Sequence, residues 1–130
     1  MSARGRLIGV GVDLVEIERA GRLVRRHPGG VERFLNPSET KLFQRARQKD
    51  LAFALIFAAK EAASKSVGVS LAAPGLFRAF QVSKRGDRLK VRWTRSGTAP
   101  VRIDLVPFLW KNLAGMLAYS YSPRPARLVK

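Results

Sequence analysis

Three charged side chains lie in the second half of residues 50–68, a segment with the sequence DLAFALIFAAKEAASKSVG. Nine consecutive apolar residues precede Lys60, Glu61 and Lys65. The run is shorter than the roughly 20 residues that span a bilayer, so it predicts a buried helix. Glu61 and Lys65 lie four residues apart and share a face of this helix, whereas Lys60 lies about 100° around the axis from Glu61. A buried helix that ends in one acid and two bases is a candidate functional element.

A second candidate carboxylate, Asp13, lies near the end of a stretch that carries Gly9 and Gly11. Glycine in a strand marks close approach by another backbone or by a ligand. Asp13 and Glu61, with lysines nearby, suit a Mg²⁺ ion that completes its shell with water and substrate phosphate oxygens. Such a site stabilises phosphoryl-type transfer by positioning and electrostatics. Two alternatives stay open: Asp13 capping the turn after its strand, and Glu61 in a purely structural pair with a lysine.

The elements that must position these residues are predicted from periodicity. Residues 7–17 alternate imperfectly, are rich in Val and Ile, and predict a strand. Residues 18–26 follow a helical pattern in which Arg19, Arg22 and Arg26 form one basic stripe. The stripe is interpreted either as a solvated face or as a docking surface.

The rest of the chain predicts helices followed by strands. Asn36, Pro37 and Glu39 form a capping-box-like start for a helix that runs to about residue 47. Strands are predicted at 77–83, 88–94, 101–106 and 113–121, with a turn at 84–87 and the last strand central. The layout of a strand, helices with one long buried helix, and then an antiparallel meander predicts an α+β fold. Residues 1–121 are predicted to form a single domain and residues 122–130 a loose basic tail.

Composition restricts the class of protein and its partners. The 130-residue chain has 25 Lys and Arg against 9 Asp and Glu, a net charge of +16 that attracts nucleic acid, phosphate-rich cofactors or acidic proteins. The absence of cysteine excludes disulfides, thiolate metal sites and thiol catalysis, and fits a reducing cytosol. The N-terminus lacks the pattern of a signal peptide, so we expect a cytoplasmic protein that does not enter a membrane.

Two segments resemble the signature motifs of a known enzyme family. GVGVDLVEIER at 9–19 and FAAKEAASK at 57–65 are similar to the two motifs of the 4'-phosphopantetheinyl transferases, most of all to the short holo-acyl-carrier-protein synthase type. The order and separation of the motifs, ERFLNPSE at 32–39, and the chain length also fit. The similarity covers residues 7–70 well and the remainder only in its general strand layout.

The resemblance implies a reaction and an assembly. Such enzymes transfer 4'-phosphopantetheine from coenzyme A to a serine of an apo acyl or peptidyl carrier protein, with Mg²⁺, and release 3',5'-ADP. The family fold is a small α+β unit, and the short type forms homotrimers with active sites between subunits. An acidic carrier protein also agrees with the net charge of this chain, because a positive field steers an acidic partner.

The resemblance also implies roles by motif position. Asp13 and Glu61 would hold Mg²⁺ on the pyrophosphate, and Lys65 would contact the phosphates. Lys60 would support the site or help deprotonation. The residues implied to bind the coenzyme are Ser64, Lys65 and Gly68. The residues implied to dock the carrier protein are Arg19, Arg22 and Arg26.

The chain departs from the family pattern at three places, one of which is the glycine-rich segment after the helix, reduced here to Gly68-Val69-Ser70. Leu55-Ile56 stand where the family usually has Gly-Arg before the helix motif. The segment RIDLVPFLWKNLAGMLAYSY at 102–121 has no histidine where the family has a Ser-x-Ser-His-like motif. Two alternative functions therefore stay open: a homologue that binds a carrier protein or synthase without transfer, and a basic nucleic-acid-binding protein, for which no recognised motif is present.

Overall fold

The computed structural model describes residues 5–27, 29–71, 76–93 and 101–122. The strands are β1 Leu7–Glu16, β2 Phe80–Arg85, β3 Arg88–Trp93, β4 Arg102–Trp110 and β5 Leu113–Tyr121. The helices are α1 Ile17–Arg26, α2 Gly30–Phe34, α3 Pro37–Arg45, α4 Lys49–Ser66 and α5 Leu76–Ala79. This combination of helices with antiparallel strands confirms the predicted α+β class. Within the described residues, no helix has both the length and the apolar character needed to cross a membrane.

Strand β5 is the centre of a three-stranded antiparallel sheet with the order β1-β5-β4. In its register Asp13 of β1 and Pro107 of β4 both lie opposite Met116, on the two sides of β5. Strands β2 and β3 form a separate antiparallel hairpin. The last strand is therefore central, as predicted, and the first strand of the chain lies beside it.

Helix α4 packs against the inner side of this sheet, and glycines in β1 let the two backbones come close. A Cβ on Gly11 would collide with the carbonyl oxygen of Ala62, and a Cβ on Gly9 with that of Ser66. The buried alanines of this helix are Ala54, Ala58, Ala59, Ala62 and Ala63. The close approach predicted for these glycines is thus made by the backbone of α4.

A cluster of phenylalanine rings packs around the N-terminal half of α4. Its neighbouring ring centroids lie 5.4–6.2 Å apart, mostly in edge-to-face arrangements that aromatic pairs favour. The rings belong to Phe34, Phe43, Phe53, Phe57 and Phe77. The cluster anchors α2, α3 and α5 to α4.

Helix α3 begins as predicted. Asn36 Oδ1 accepts from the Glu39 backbone N–H at 2.9 Å, and Glu39 Oε1 accepts from the Asn36 backbone N–H at 2.9 Å, which closes a capping box. The helix ends at Arg45, slightly before the predicted end near residue 47.

The strand predicted at 77–83 is wrong in its first part. The segment Leu76–Ala79 forms the short helix α5, and β2 begins at Phe80. The Phe77 ring packs against Phe34 and Phe57, and its carbonyl accepts a hydrogen bond from Lys60. These tertiary contacts override the local alternation.

Other boundaries differ by a few residues. Ile17 begins α1 instead of ending β1, and the turn of the β2–β3 hairpin is Gly86-Asp87 because β2 continues to Arg85. Strand β4 runs to Trp110, beyond the predicted end at 106. Pro107 fits there because β4 is an edge strand, where a missing N–H breaks no central ladder. Thr94, predicted to end a strand, and residues 123–130 of the predicted tail lie outside the described residues.

The outer face of the sheet is apolar and exposed. On β1, Val10, Val12 and Leu14 point away from α4 and are 49–57% exposed. On β4, Val106 is 46% exposed and Trp110 is 62% exposed. We call these five residues the outer face, because the register places them on the same face of the three-stranded sheet.

Candidate active site

Asp13 lies on the inner side of β1, beside the end of α4. Its Oδ1 accepts a hydrogen bond from Lys65 Nζ at 3.1 Å, and the same ammonium donates to the Val12 carbonyl oxygen at 3.0 Å. The Asp13 side chain is 16% exposed and that of Lys65 is 51% exposed. The cap position of α1 is Glu16 and has no side-chain cap. Asp13 therefore faces α4 and does not cap the turn after its strand.

Glu61 and Asp13 are close enough for their charges to interact. Burial raises the pKa of Glu61, and the Asp13 carboxylate raises it further, whereas Lys65 lowers it. Burial also raises the pKa of Asp13, against the hydrogen bond and charge of Lys65. Two partly buried carboxylates thus share one neighbouring ammonium, which leaves an excess of negative charge.

A cavity of about 860 Å³ opens beside these carboxylates. Asp13 and Glu61 line it, and the wall from α4 also includes Phe53 and Phe57, at four-residue spacing before Glu61. The cavity-lining arginines are Arg19, Arg22 and Arg26 of α1. The structure therefore brings the predicted metal carboxylates and the predicted docking arginines to one cavity.

The basic stripe of α1 is exposed. Arg19, Arg22 and Arg26 are all exposed, and the contact of Arg22 Nη1 with Glu18 Oε2 is long, at 3.8 Å. Surface pairs of this kind contribute little free energy. In contrast, Arg25 Nη1 donates to both carboxylate oxygens of Asp50, at 2.8 and 3.1 Å, which ties α1 to α4. Arg25 is therefore bound in this tie and is not among the arginines that line the cavity.

The position of Lys60 contradicts a direct role in deprotonation. Its side chain is 0% exposed and its ammonium binds Glu39 Oε1 at 2.5 Å and the carbonyl oxygens of Phe34 and Phe77. Burial lowers the pKa of Lys60, and the bond to Glu39 opposes this shift. Because all three N–H groups are occupied inside the protein, Lys60 does not reach the cavity that Glu61 lines.

The implied coenzyme-binding residues have different environments. The Ser64 side chain is buried, and its hydroxyl donates to the Glu61 carbonyl oxygen at 2.7 Å, so it does not face the cavity. Gly68 is exposed just beyond α4 and has a φ of 74°. Of the three residues, only Lys65 combines an exposed side chain with a contact to Asp13.

Several residues of the site were missed from the sequence. Glu39 was predicted only as a cap residue, and its capping-box spacing gives no sign of a bond to Lys60. Phe53 and Phe57 were part of an apolar run, although their four-residue spacing before Glu61 could have placed them on the same helix face as Glu61. His27, the single histidine, is exposed and lines the cavity beside the arginine stripe.

Comparison with known proteins identifies the family of this chain. The family model of the 4'-phosphopantetheinyl transferase superfamily matches residues 9–108. The chain belongs to this superfamily, which confirms the resemblance seen in its two motifs. It is 38% identical over 94 residues to the holo-[acyl-carrier-protein] synthase of Aliivibrio fischeri (strain MJ11), a match that covers 72% of this chain and 74% of the relative.

Solved structures show the same fold. The holo-[acyl-carrier-protein] synthase of Neisseria meningitidis is 21% identical, with a TM-score of 0.73, over 89% of this chain and 99% of that chain. The Helicobacter pylori synthase in complex with coenzyme A is 24% identical, with a TM-score of 0.68, over 84% and 96% of the two chains. At these identities the likeness concerns the fold.

Proposed function

We propose that this protein transfers 4'-phosphopantetheine from coenzyme A to a serine of an apo acyl or peptidyl carrier protein. The observation that carries the proposal is the meeting of Asp13, from β1, and Glu61, from α4, in a cavity that the arginine stripe of α1 also lines. Membership of the superfamily and the identity to a curated holo-[acyl-carrier-protein] synthase support the reaction class.

Asp13 and Glu61 are a suitable pair of ligands for Mg²⁺. Their raised pKa values reflect negative charge that burial disfavours, and a divalent cation would relieve it. The described residues hold no cluster of three or more His, Cys, Asp or Glu side chains. Two carboxylates leave positions for water and phosphate oxygens, which is how Mg²⁺ is usually bound. When bound, the ion would offset the charge of the coenzyme's pyrophosphate.

Lys65 is the residue best placed to contact a phosphate of the coenzyme. Its ammonium already lies beside Asp13, and half of its side chain is exposed. In the transfer, the serine oxygen bonds to the phosphorus that carries the pantetheine arm. The bond from that phosphorus to 3',5'-ADP breaks, and the serine proton is released. A fixed ammonium beside the phosphates stabilises the charge on the leaving group.

The arginine stripe is proposed to dock the carrier protein. Arg19, Arg22 and Arg26 combine exposure with a position on the cavity that the serine must reach. An acidic partner would be steered to this face by the field of a chain with a net charge of +16. Docking at α1 would then bring the partner's serine next to Asp13 and Glu61.

The assembly is proposed to be a homotrimer of cytoplasmic location. The outer face supports association, because exposed contiguous apolar surfaces mark interaction sites. Copies of the chain packed through this face would bring another subunit close to Leu14, which both belongs to the face and lines the cavity.

A second candidate function is carrier-protein binding without transfer. It is favoured by the inward position of Ser64 and by Leu55-Ile56, where the family has a cationic residue. In this case the arginine stripe would be used and the carboxylates would not. Superfamily membership argues against the remaining alternative, a nucleic-acid-binding protein.

Intact mass spectrometry tests the proposal. The protein is incubated with coenzyme A, Mg²⁺ and apo carrier proteins from fatty-acid, polyketide and peptide synthesis. The expected result is a gain of one phosphopantetheine arm on the carrier, lost when a chelator is added. Glu61→Gln serves as the inactive control. Binding without any mass gain would favour the second candidate, and neither gain nor binding would contradict both.

A further inference from the structure

A charged pair lies in the protein interior on the side of α4 next to Glu61. Lys60 and Glu39 are both 0% exposed, and Lys60 Nζ lies 2.5 Å from Glu39 Oε1. Burial of two charges is expensive unless every polar atom is bonded. A pair in this position therefore requires an explanation beyond packing.

Every polar atom of the pair has a partner. Lys60 Nζ also donates to the carbonyl oxygens of Phe34, at 3.0 Å, and Phe77, at 2.8 Å. Glu39 accepts from the backbone N–H groups of Asn36, at 2.9 Å, and Val82, at 2.6 Å. No buried side-chain polar atom among the described residues lacks a partner. The pair thus joins α2, α3, α4, α5 and β2 at one point.

The same pair is linked to the wall of the cavity. Lys60 holds the carbonyl groups of Phe34 and Phe77, whose rings pack against Phe57 at 5.8 and 5.4 Å between centroids. Phe57 lines the cavity one helical turn before Glu61. The ammonium therefore orients both the neighbouring backbone of Glu61 and the ring beside it.

The buried residues around Glu61 are largely alanines, which pack against the sheet without side-chain hydrogen bonds. The directional contacts of α4 with the sheet come after Glu61, from the half-exposed Lys65 to β1 and from the Ser66 carbonyl to Ser120. The Lys60 bonds are the buried directional contacts on the opposite side of the helix from the sheet. Lys60 is the residue directly before Glu61, and its three bonds have fixed directions. A small rotation of α4 would move the Glu61 carboxylate relative to Asp13 on β1.

We propose that Lys60 and Glu39 are positioning residues, which fix the rotation of α4 so that the Glu61 carboxylate faces Asp13 across the cavity. The role of the placed carboxylate rests on the proposed function. The pair acts through Glu61 and contacts neither substrate, since it lies entirely inside the protein. Misplacement of a catalytic group by about 1 Å costs about 100-fold in rate.

Three variants separate positioning from stability. Lys60→Met removes the ammonium and leaves the Glu39 charge unpaired, so it lowers the melting temperature. Adding Glu39→Gln removes that charge and keeps one oxygen, which can accept from the Asn36 or the Val82 N–H but not from both, so the double variant regains part of the lost stability. Glu39→Gln alone keeps the shape of the pair and serves where either of the other two fails to fold.

The expected result for the double variant is a melting temperature above that of Lys60→Met but a kcat about 10- to 100-fold below wild type. The KM for carrier protein should stay within about two-fold of wild type, because the arginine stripe that is proposed to dock it is unchanged. Glu39→Gln should show a smaller fall in kcat with the same unchanged KM for carrier protein. A purely structural pair would restore kcat together with stability.

Binding of Mn²⁺, a probe for the carboxylates that needs no turnover, is measured by electron paramagnetic resonance. We expect the double variant to bind Mn²⁺ about 10-fold more weakly than wild type.

A folded double variant with the kcat and Mn²⁺ affinity of wild type would overturn the positioning role while the proposed function stands. If wild type binds Mn²⁺ but modifies no carrier, the proposed function fails and the affinity difference still supports positioning. If wild type does neither, both proposals are overturned.

Discussion

The ionised carboxylate of Glu61 is less stable in the folded protein than in the unfolded chain. Its pKa is raised by burial and by Asp13, and Lys65 offsets only part of this shift. Between the ordinary pKa of 4.5 and the raised value, the folded state binds more protons than the unfolded state. The free energy of unfolding therefore falls as the pH rises through this window.

Replacement of the Glu61 carboxylate should raise the stability of the protein and lower its activity. We predict that Glu61→Gln raises the free energy of unfolding of the metal-free protein above this window and lowers the transfer rate at least about 100-fold. Urea unfolding with a chelator, from about pH 4 to pH 8, measures the first effect, and the difference from wild type should vanish towards the lower limit. Glu32→Gln, an exposed position outside the cavity lining, is the control and should change neither quantity. A Glu61→Gln variant less stable than wild type throughout would contradict this account.

Substitutions in the arginine stripe should change the KM for the carrier protein and not the KM for coenzyme A. Arg19→Glu combined with Arg22→Glu should raise the KM for carrier protein at least about 10-fold, because rim charges govern encounter with an acidic partner. The KM for coenzyme A should change by less than about two-fold. Steady-state kinetics with each substrate varied in turn provides the measurement.

The matched control for the stripe is Arg45→Glu combined with Arg47→Glu. Both residues are exposed and lie outside the cavity lining, and the change in net charge is the same. This control should leave both KM values near wild type. Equal increases for the two substrates in the stripe variant would argue against a docking helix.

Strand β1 and helix α4 each carry one of the two carboxylates that are proposed to hold the metal. Their separation is set by glycines, which let the carbonyl oxygens of the helix approach the strand. Gly11→Ala should push the two elements apart, lower the free energy of unfolding by about 1–3 kcal/mol and impair transfer. Urea unfolding and the mass-spectrometric assay measure the two effects. Wild-type stability in this variant would mean that the contact is looser than the structure indicates.

The main elements could be predicted from the sequence where local signals were strong. The apolar run predicted α4, the capping box predicted α3, and the alternation of apolar and basic residues predicted β3. The helical turn at Leu76–Ala79 could not be predicted, because its cause is the packing of Phe77 and its bond to Lys60. The bond between Lys60 and Glu39 was equally hidden, since it depends on how α3 and α4 are placed.

The candidate site, like the fold, could be predicted from the sequence only in part. The chemical types of Asp13, Glu61 and Lys65 and their motif spacing could be read from the sequence. The meeting of the two carboxylates in one cavity, with Lys65 bonded to Asp13, depends on the antiparallel sheet that carries β1 against α4. Ser64 shows the limit of motif position, because the rotation of a buried helix decides whether a hydroxyl faces solvent or the helix itself.

The exposed apolar outer face is the surface through which we propose that copies of the chain assemble. We predict that Val12→Asp places a charge in the centre of the proposed trimer interface and converts the assembly to monomers, since an unpaired buried charge is strongly disfavoured. Size-exclusion chromatography with light scattering measures the mass. Gln81→Asp, an exposed position on β2 with the same change in charge, is the control. An unchanged mass for Val12→Asp would exclude this face as the interface.

The pairing of the first described strand with the last has a consequence during protein synthesis. Leu7 lies opposite Tyr121, so β1 has no partner strand until β5 has left the ribosome. At typical elongation rates this delay is roughly 5–20 s, and the second motif segment is complete about halfway through it. A nascent chain that ends between residues 66 and 112 therefore contains every residue proposed to hold the metal but cannot assemble the sheet that brings them together.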